Sequence, residues 1–420
     1  MVNWSFTIVL GTRNSIVTNL SGLTFENLIP FHRWVARVGL AETILHSVYR
    51  WWEGYATTGR LSDAVFLTEE YLSGTVSTIG YIILFGTAFN YIQRNYFRLF
   101  YYSHLIGFIV GTGGAMWHEW SCIYFFVPPV LLWILDRMVR IYKSWCYSFN
   151  LIHLEQHSGK IVHAKFKYGN LDAFRPGHYL FAAFLTGNGG WRKWLQQRAD
   201  WYPMTISEIF FAGENANQPK KGDVSQLAAS IHIKALGDGT RQLVQAIQSG
   251  QNVDLRVDGP YGPRLRYLDY SVVALFAVGI GITPALAIMK DCIDKQDRLR
   301  SRVRSVYLTW SVRKVDEIEP FIEYLTHCAT LPSSFVDFNA TIHITREKDE
   351  AKCTCIAEEL KCKVIRGARP QISKYMDNIA YRHSCKDVWV HTCGSVPFMI
   401  NVINESIKYD FDVSHETFEF

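Results

Sequence analysis

Charge is scarce in this sequence. Asp, Glu, Lys and Arg make up only 19% of its 420 residues, and the shortage lies at the front. Residues 1–150 hold 10 Lys and Arg and 8 Asp and Glu, about 12%, against about 23% over 151–420. There is no block of like charge and the net charge is +5, so nothing points to nucleic acid. The nine cysteines show no paired spacing. That argues against a disulfide framework and for free thiols in a reducing compartment. No cleavable signal peptide is expected either, since the first residues lack a basic stretch and a small-residue cleavage site. With 49% hydrophobic and 15% aromatic residues, the chain is not a disordered one. Its mean hydropathy of +0.01 is too apolar for an ordinary soluble enzyme and too polar for a chain that is all membrane. Two parts therefore meet near residue 150.

The front part carries long uncharged runs. A bilayer core needs roughly 20 apolar helical residues. Gly74–Ile92 and Leu99–Trp117 each supply 19 without a formal charge. Trp120–Leu135 is shorter and holds Pro128 and Pro129, which predicts a kinked span. Leu28–Val48 is mostly apolar but includes Arg33, Arg37 and Glu42, and Trp4–Leu20 is a half-span interrupted by Arg13. The alternative, buried core helices of a soluble protein, fits three such runs in close succession less well. Arg94 and Arg98 fall on the same side as Arg137, Arg140 and Lys143. The loop from Trp51 to Tyr71, with Glu53, Asp63, Glu69 and Glu70, falls on the other. The basic side is cytoplasmic by the positive-inside rule, which makes the part after residue 150 cytosolic.

Residues 1–150 contain four histidines: His32, His46, His104 and His118. Both intervals, 32 to 46 and 104 to 118, are 14 residues, close to four helical turns. Each pair therefore shares one helix face, with its members ~21 Å apart along the axis. Both helices begin on the cytosolic side, so they ascend together. His32 then faces His104 near the cytosol, and His46 faces His118 near the outside. Two facing imidazoles at each of two depths predict two bis-histidine haem sites. A lone histidine in an apolar helix is usually a satisfied core residue, but polar groups at membrane depth are costly without a function. Zinc fits less well, because ligands ~21 Å apart cannot share an ion and two histidines leave its site incomplete.

The back part alternates short strands such as Lys160–Phe166 and His178–Phe184, with Arg175-Pro176-Gly177-His178-Tyr179 as the turn between. At Ser271 the pattern changes. SVVALFAV reads as a buried parallel strand, followed by Gly279-Ile280-Gly281-Ile282-Thr283-Pro284 and a helix over Ala285–Ile293. The glycines allow close approach of a phosphate, Pro284 suits a first helical turn, and the helix N-terminus favours anions. Strands at Ser305–Trp310, Asn339–Thr345 and Asp387–His391 complete an alternating α/β order. Arg313 and Arg346, just after two of these strands, are candidates for a nucleotide 2′-phosphate, which favours NADPH over NADH.

The runs FHRWVARVGLAETILHSVYRW and RNYFRLFYYSHLIGFIVGTGGAMWH resemble the haem helices of fungal ferric reductases and NADPH oxidases. Arg13-Asn14 resembles the pair that ends the preceding span there. The resemblance implies two b-type haems. Trp201-Tyr202-Pro203-Met204-Thr205-Ile206-Ser207 is similar to the family's flavin-contacting HPFT segment, with Tyr202 where His is usual and Met204 where Phe is usual. The run His232–Leu243, which includes Lys234, Gly239 and Thr240, resembles the segment that holds the flavin pyrophosphate. Gly259-Pro260-Tyr261-Gly262 resembles the GPYG loop, and Gly279–Pro284 the nicotinamide-nucleotide loop. Cys393-Gly394 resembles the CGP segment near the nicotinamide, with Ser395 in place of Pro, and Phe420 the terminal aromatic over the flavin ring. Cys393 and Phe420 are thereby implied at the reaction centre.

The expected fold is thus multi-domain. A transmembrane α-helical haem bundle (1–148) precedes a β-barrel FAD-binding domain (149–268) and an α/β Rossmann-like NAD(P)H-binding domain (269–420) of ferredoxin-reductase type. Relative to the family, about one and a half spans are expected before Arg13-Asn14, so Met1 falls within a span and the bundle is expected to be incompletely packed. The function implied is a multi-pass, plasma-membrane ferric-chelate reductase using NADPH, FAD and two haem b to reduce ferric or cupric chelates outside. An NADPH oxidase that reduces dioxygen to superoxide shares every motif. A non-catalytic truncated relative is the reading of another class. Lipid is the expected environment, and no protein partner is specified.

Overall fold

The computed structural model describes residues 1–12, 25–60, 62–66, 68–146, 149–169, 171, 174–186, 201–211, 227–296, 301–330 and 336–416. The chain forms two compact units, one spanning Met1–Cys146 and the other taking in most of the rest. The expected Arg13-Asn14 pair and Phe420 lie outside the described residues.

The first unit is helical. It comprises α1 (Val2–Leu10), α2 (Phe25–Thr58), the short α3 (Asp63–Phe66), α4 (Glu69–Thr87), α5 (Asn90–Asn95), α6 (Phe97–His118) and α7 (Cys122–Cys146). The last is a single helix through Pro128 and Pro129. Burial here is the reverse of that in a water-soluble domain. The inward residues of α4 include Ser73, Thr75, Ser77, Thr78 and Gly80, while its Ile79, Ile82 and Phe85 face out. The inward residues of α6 are Gly107, Gly111, Thr112, Gly114 and Ala115, while Ile106 and Ile109 face out. Small residues let helix backbones touch where no hydrophobic effect drives them together. A Cβ on Gly80 would lie 2.3 Å from the Gly111 nitrogen, and one on Gly114 would lie 2.8 Å from the Ser77 nitrogen. Polar bonds stitch the same interior: Ser47 to Thr78 at 2.7 Å, Trp51 Nε1 donating to Thr75 at 2.9 Å, and Ser77 Oγ donating to the Gly111 carbonyl at 2.8 Å.

One helix among the described residues, Cys122–Tyr142 within α7, is long and apolar enough to cross a membrane by length and composition alone. The spans expected over α4 and α6 do not pass that test, because their Gly, Ser and Thr lower the mean hydropathy. The same residues form the packed faces.

The second unit begins with six antiparallel strands: β1 (Phe149–His157), β2 (Ile161–Tyr168), β3 (Tyr179–Thr186), β4 (Tyr202–Phe211), β5 (Leu227–Lys234) and β6 (Val253–Tyr261), with α8 (Asp238–Gln248) before the last. Their order is β1-β2-β5-β4-β3-β6. No ladder joins β1 to β6 among the described residues, although the two edge strands approach one another, so the expected barrel is a half-barrel. Phe166, Leu180, Ile206, Ile231 and Leu255 fill its inner face, and Leu243 of α8 closes it.

A second sheet follows, of β7 (Val272–Val278), β8 (Ser305–Val312), β9 (Asp337–Ile344), β10 (Lys363–Arg366), β11 (Val388–Cys393) and β12 (Asp412–Glu416). Between these strands run α9 (Ile282–Gln296), α10 (Ile322–Thr330), α11 (Glu350–Leu360), α12 (Ile372–Arg382) and α13 (Val396–Lys408). The order is β10-β9-β8-β7-β11-β12, all parallel. Helices cover both faces, so β7 is apolar along nearly its whole length. Strand order reverses between β7 and β11, and a ligand crevice opens at the carboxyl ends of strands at such a point.

One feature of the first sheet sets its response to acid. His163 on β2 pairs across the ladder with His232 on β5, and the two rings stack at 4.2 Å. Burial is the main cause that holds His163 down to about 4 and His232 well below the ordinary imidazole value. Lys165 and His157 push His163 the same way, whereas Glu155 opposes them. Between pH 6.5 and about 4 the unfolded imidazoles therefore bind protons that the native ones refuse, and stability falls with pH. The melting temperature should drop over that window. His163→Phe, which keeps an aromatic ring in the stack, should flatten the drop. An unchanged pH profile in that variant would remove this account.

Candidate functional site

In the helical unit, α2 and α6 bring the four histidines together in the expected pairs. The rings of His32 and His104 are 6.4 Å apart between centroids, and those of His46 and His118 are 6.1 Å apart. Separations of this size leave room for a metal atom between the two rings of each pair, which would hold it through ring nitrogens. The ring nitrogens are also assigned roles. His32 Nδ1 lies 2.8 Å from the Thr7 carbonyl, and His118 Nδ1 lies 2.8 Å from the Glu70 carbonyl. Each Nδ1 then donates its proton to a carbonyl, which leaves Nε2 with the free lone pair a metal needs. His46 and His118 also line a cavity of about 260 Å³ with Ser47, Trp51, Gly74 and Thr78. A Cβ on Gly74 would come within 3.0 Å of the His118 ring. Donor type, the spacing of both pairs and the tautomers of His32 and His118 fit a bis-histidine haem. No group of three or more His, Cys, Asp or Glu is placed to hold a metal ion among the described residues.

A layer between the two histidine levels was not foreseen. Trp4 of α1 and Tyr81 of α4 stack at 3.8 Å and 10°. Trp4 covers Gly39, where a Cβ would meet its ring at 3.1 Å, and Tyr81 covers Gly111, where a Cβ would meet its ring at 2.8 Å. Gly39 stands midway between His32 and His46 in sequence, as Gly111 does between His104 and His118. Those two central glycines were the available signal.

In the second unit the crevice at β7 and β11 gathers three of the expected motifs. Gly279–Gly281 makes a 3₁₀ turn straight off β7, and α9 begins at Ile282. Gly279 adopts φ +56°, a conformation that favours glycine. A Cβ on Gly281 would lie 2.4 Å from the Cys393 carbonyl oxygen, and one on Gly394 would lie 2.9 Å from Val278 Cβ. The loop Gly279–Pro284 and the pair Cys393-Gly394 therefore meet backbone to backbone. Thr283 Oγ1 donates to the Ile280 carbonyl. Lys234 reaches this loop from β5 and is held by Glu317 at 2.7 Å. Cys393 is buried; burial first, and then the Glu416 carboxylate, push its thiol well up.

The flavin-like segment lies along β4. Tyr202, Pro203, Met204 and Thr205 pair with Ala182, Phe181, Leu180 and Tyr179 of β3. Ser207 Oγ lies 2.9 Å from His232 Nδ1. Gly259, Pro260 and Tyr261 end β6, and Tyr261 donates to Asp258 at 2.8 Å. Gly262 follows at φ +122°, where a Cβ would meet the Gly177 carbonyl at 2.7 Å. Gly239 and Thr240 open α8, and Thr240 Oγ1 accepts from the Gly237 amide at 3.1 Å. Glu416 was missed by sequence reasoning. At the end of β12 it accepts a 2.8 Å hydrogen bond from Thr205 and lies beside Cys393 through the β11–β12 register. Arg313 and Arg346 follow β8 and β9, are joined by a 2.9 Å backbone bond, and are exposed without an ion-pair partner among the described residues.

These features define a two-part chain: a helical unit with stacked histidine pairs and a two-sheet unit with a dinucleotide crevice. Residues 1–115 match the family model described as ferric reductase like transmembrane component, and residues 270–407 match the one described as ferric reductase NAD binding domain. The chain is 24% identical over 410 residues to ferric reduction oxidase 7, chloroplastic, of Arabidopsis thaliana, covering 91% of this chain and 48% of that protein. It is 25% identical to ferric reduction oxidase 8, mitochondrial, of the same plant, covering 81% and 45%. It is 24% identical to NADPH oxidase 1 of Mus musculus, covering 79% and 62%. The chain thus spans about half the length of the plant relatives and less than two thirds of the mouse one. It belongs to the ferric reductase/NADPH oxidase family.

Proposed function

We propose that this protein is a transmembrane NADPH-dependent reductase that moves electrons through FAD and two haem b to ferric or cupric chelates at the outer face. The observation that carries it is the pair of imidazole couples at 6.4 and 6.1 Å on two parallel helices. His32 and His104 would hold the inner haem, and His46 and His118 the outer. Bound haem takes up and gives away one electron at a time, and bound flavin converts a hydride into single electrons. The rest falls to the chain. The carbonyls of Thr7 and Glu70 fix the tautomers of two ligands. Trp4 and Tyr81 fill the layer between the levels. Gly279, Gly281 and Gly394 keep the crevice free of side chains so that a dinucleotide backbone can approach. Cys393 packs at its floor, and Thr205 with Glu416 gives a hydroxyl–carboxylate pair beside the flavin segment. At the outer face no protein acid or base is required for a ferric chelate to accept an electron.

A dithionite-reduced minus oxidised spectrum of isolated membranes tests this reading. A b-type signal is expected, and a correctly inserted but colourless chain would end it. Mouse NADPH oxidase 1 among the relatives keeps dioxygen as the second acceptor. NADPH-driven ferric reduction without oxygen, insensitive to superoxide dismutase, supports the chelate. A signal abolished by that enzyme supports the oxidase.

Nucleotide choice rests on Arg313 and Arg346. Loss of a charge-assisted bond to an exposed phosphate costs about 1–2 kcal/mol, about tenfold. Arg313→Ala should raise KM for NADPH about tenfold and leave KM for NADH unchanged. Equal effects on both nucleotides would take the 2′-phosphate away from Arg313.

A further inference from the structure

Tyr202 stands where the family has histidine, and the structure gives that exchange a partner. A Cβ on Gly239 would lie 1.9 Å from the Tyr202 hydroxyl and 2.8 Å from its Cζ. Contacts under 3.0 Å are not tolerated, and here the obstacle is a rigid ring. It cannot swing aside freely: Tyr202 begins β4 in register with Ala182, stacks near Phe184 at 6.4 Å and 23°, and packs on the core of the first sheet. Gly239 is equally fixed. It is the second residue of α8, whose start is tied by Thr240 to the amides of Leu236 and Gly237 and whose Leu243 and Val244 are buried in that core. Glycine here is not explained by backbone strain, because Gly239 is not among the residues of positive φ. The phenol fills the space that a side chain there would need.

We infer that Tyr202 and Gly239 form one matched determinant of flavin affinity: the phenol takes the volume that a side chain on residue 239 would need, and so shapes the mouth between β4 and the amino end of α8. This rests on the reading that the Tyr202–Ser207 and His232–Leu243 segments hold FAD, and it goes further by making two of their residues a single unit. Any side chain at 239 must push the phenol off its seat or tilt the first turn of α8, and either movement displaces the surface offered to the dinucleotide. Removal of the phenol should make residue 239 permissive. The pair is a positioning device and takes no part in the electron steps.

The test is a double-mutant cycle on the full chain in detergent, read as the FAD dissociation constant from quenching of flavin fluorescence, which needs neither haem nor NADPH. Gly239→Ala alone should weaken FAD binding at least about tenfold, whereas the same change in a Tyr202→Ala background should weaken it less than about twofold further. A Gly239→Ala penalty that is equally large in both backgrounds overturns the pairing, because the phenol is then not what the methyl meets. A Gly239→Ala chain that binds FAD as tightly as the wild type overturns it too. Failure of the underlying reading looks different: the wild-type chain itself would not quench flavin fluorescence. Thermal melting of each variant at pH 7 separates loss of the fold from loss of the site, and Tyr202→Ala alone is the reference for the double variant because it too removes a ring packed on the core.

Discussion

His46→Ala should halve the haem content of the purified chain, from about two per polypeptide to about one. His46 supplies one of the two facing rings at the outer level and has no substitute there, since its partner His118 lies on the other helix, 6.1 Å away. The inner pair, His32 and His104, shares none of these ligands and should keep its haem. Transfer from NADPH to FAD, proposed for the other unit, should survive. Reduction of an external chelate should fall by more than the about 10–100-fold seen when only a ligand's supporting partner is lost. Haem extraction with a pyridine haemochrome spectrum reads the stoichiometry, and reduction of bound flavin by NADPH under anaerobic conditions reads the first step. A variant that retains two haems would strike His46 from the ligand set.

Gly80→Leu should cost the helical unit both haems. The α4 and α6 backbones meet at this residue, where even a Cβ would lie 2.3 Å from the Gly111 nitrogen. Forced side-chain volume in a packed core costs about 1–3 kcal/mol, occasionally more. Backbone against backbone leaves no rotamer to absorb it, so about 3 kcal/mol or more is expected. Tyr81, next in sequence, would leave its seat on Gly111, and α6 would move away from α2 with both of its histidines. Gly86→Leu on the same helix is the control, because a Cβ there meets nothing within 4 Å. Haem absorbance against temperature in detergent should show Gly86→Leu close to wild type and Gly80→Leu colourless. Equal melting of the two variants would mean that the close approach at Gly80 does not hold the unit together.

Much of this was legible beforehand because it depends on spacing along one element. Fourteen residues of α-helix return a side chain to the same face whatever surrounds it, so the histidine pairs were readable from residues 32, 46, 104 and 118. The β7–Gly279–α9 unit was readable for a similar reason: an all-apolar strand, a glycine turn and a helix start are each written locally. The strand bounds of β2, β3, β8 and β9 fell within a few residues of the expected ones, as alternation allows. Closure of the first sheet was not readable, because it depends on whether β1 and β6, about 100 residues apart, bond across the gap.

What the sequence alone determined was the division near residue 150, the two histidine faces and the glycine turn between β7 and α9, all consequences of composition or of a fixed helical and strand period. What the tertiary structure decided was which distant groups share a volume. It set Trp4 on Tyr81, laid Gly80 against Gly111, joined Thr205 to Glu416 and seated Tyr202 over Gly239. It also turned the front unit outside-in, with Ser, Thr and Gly packed together and Ile, Leu and Phe facing outward, an arrangement suited to lipid. Apart from the central glycines beneath Trp4 and Tyr81, none of these pairs is marked by spacing, because contact between residues far apart in the chain is settled by how helices and strands pack, and packing answers to the shape of every neighbour at once.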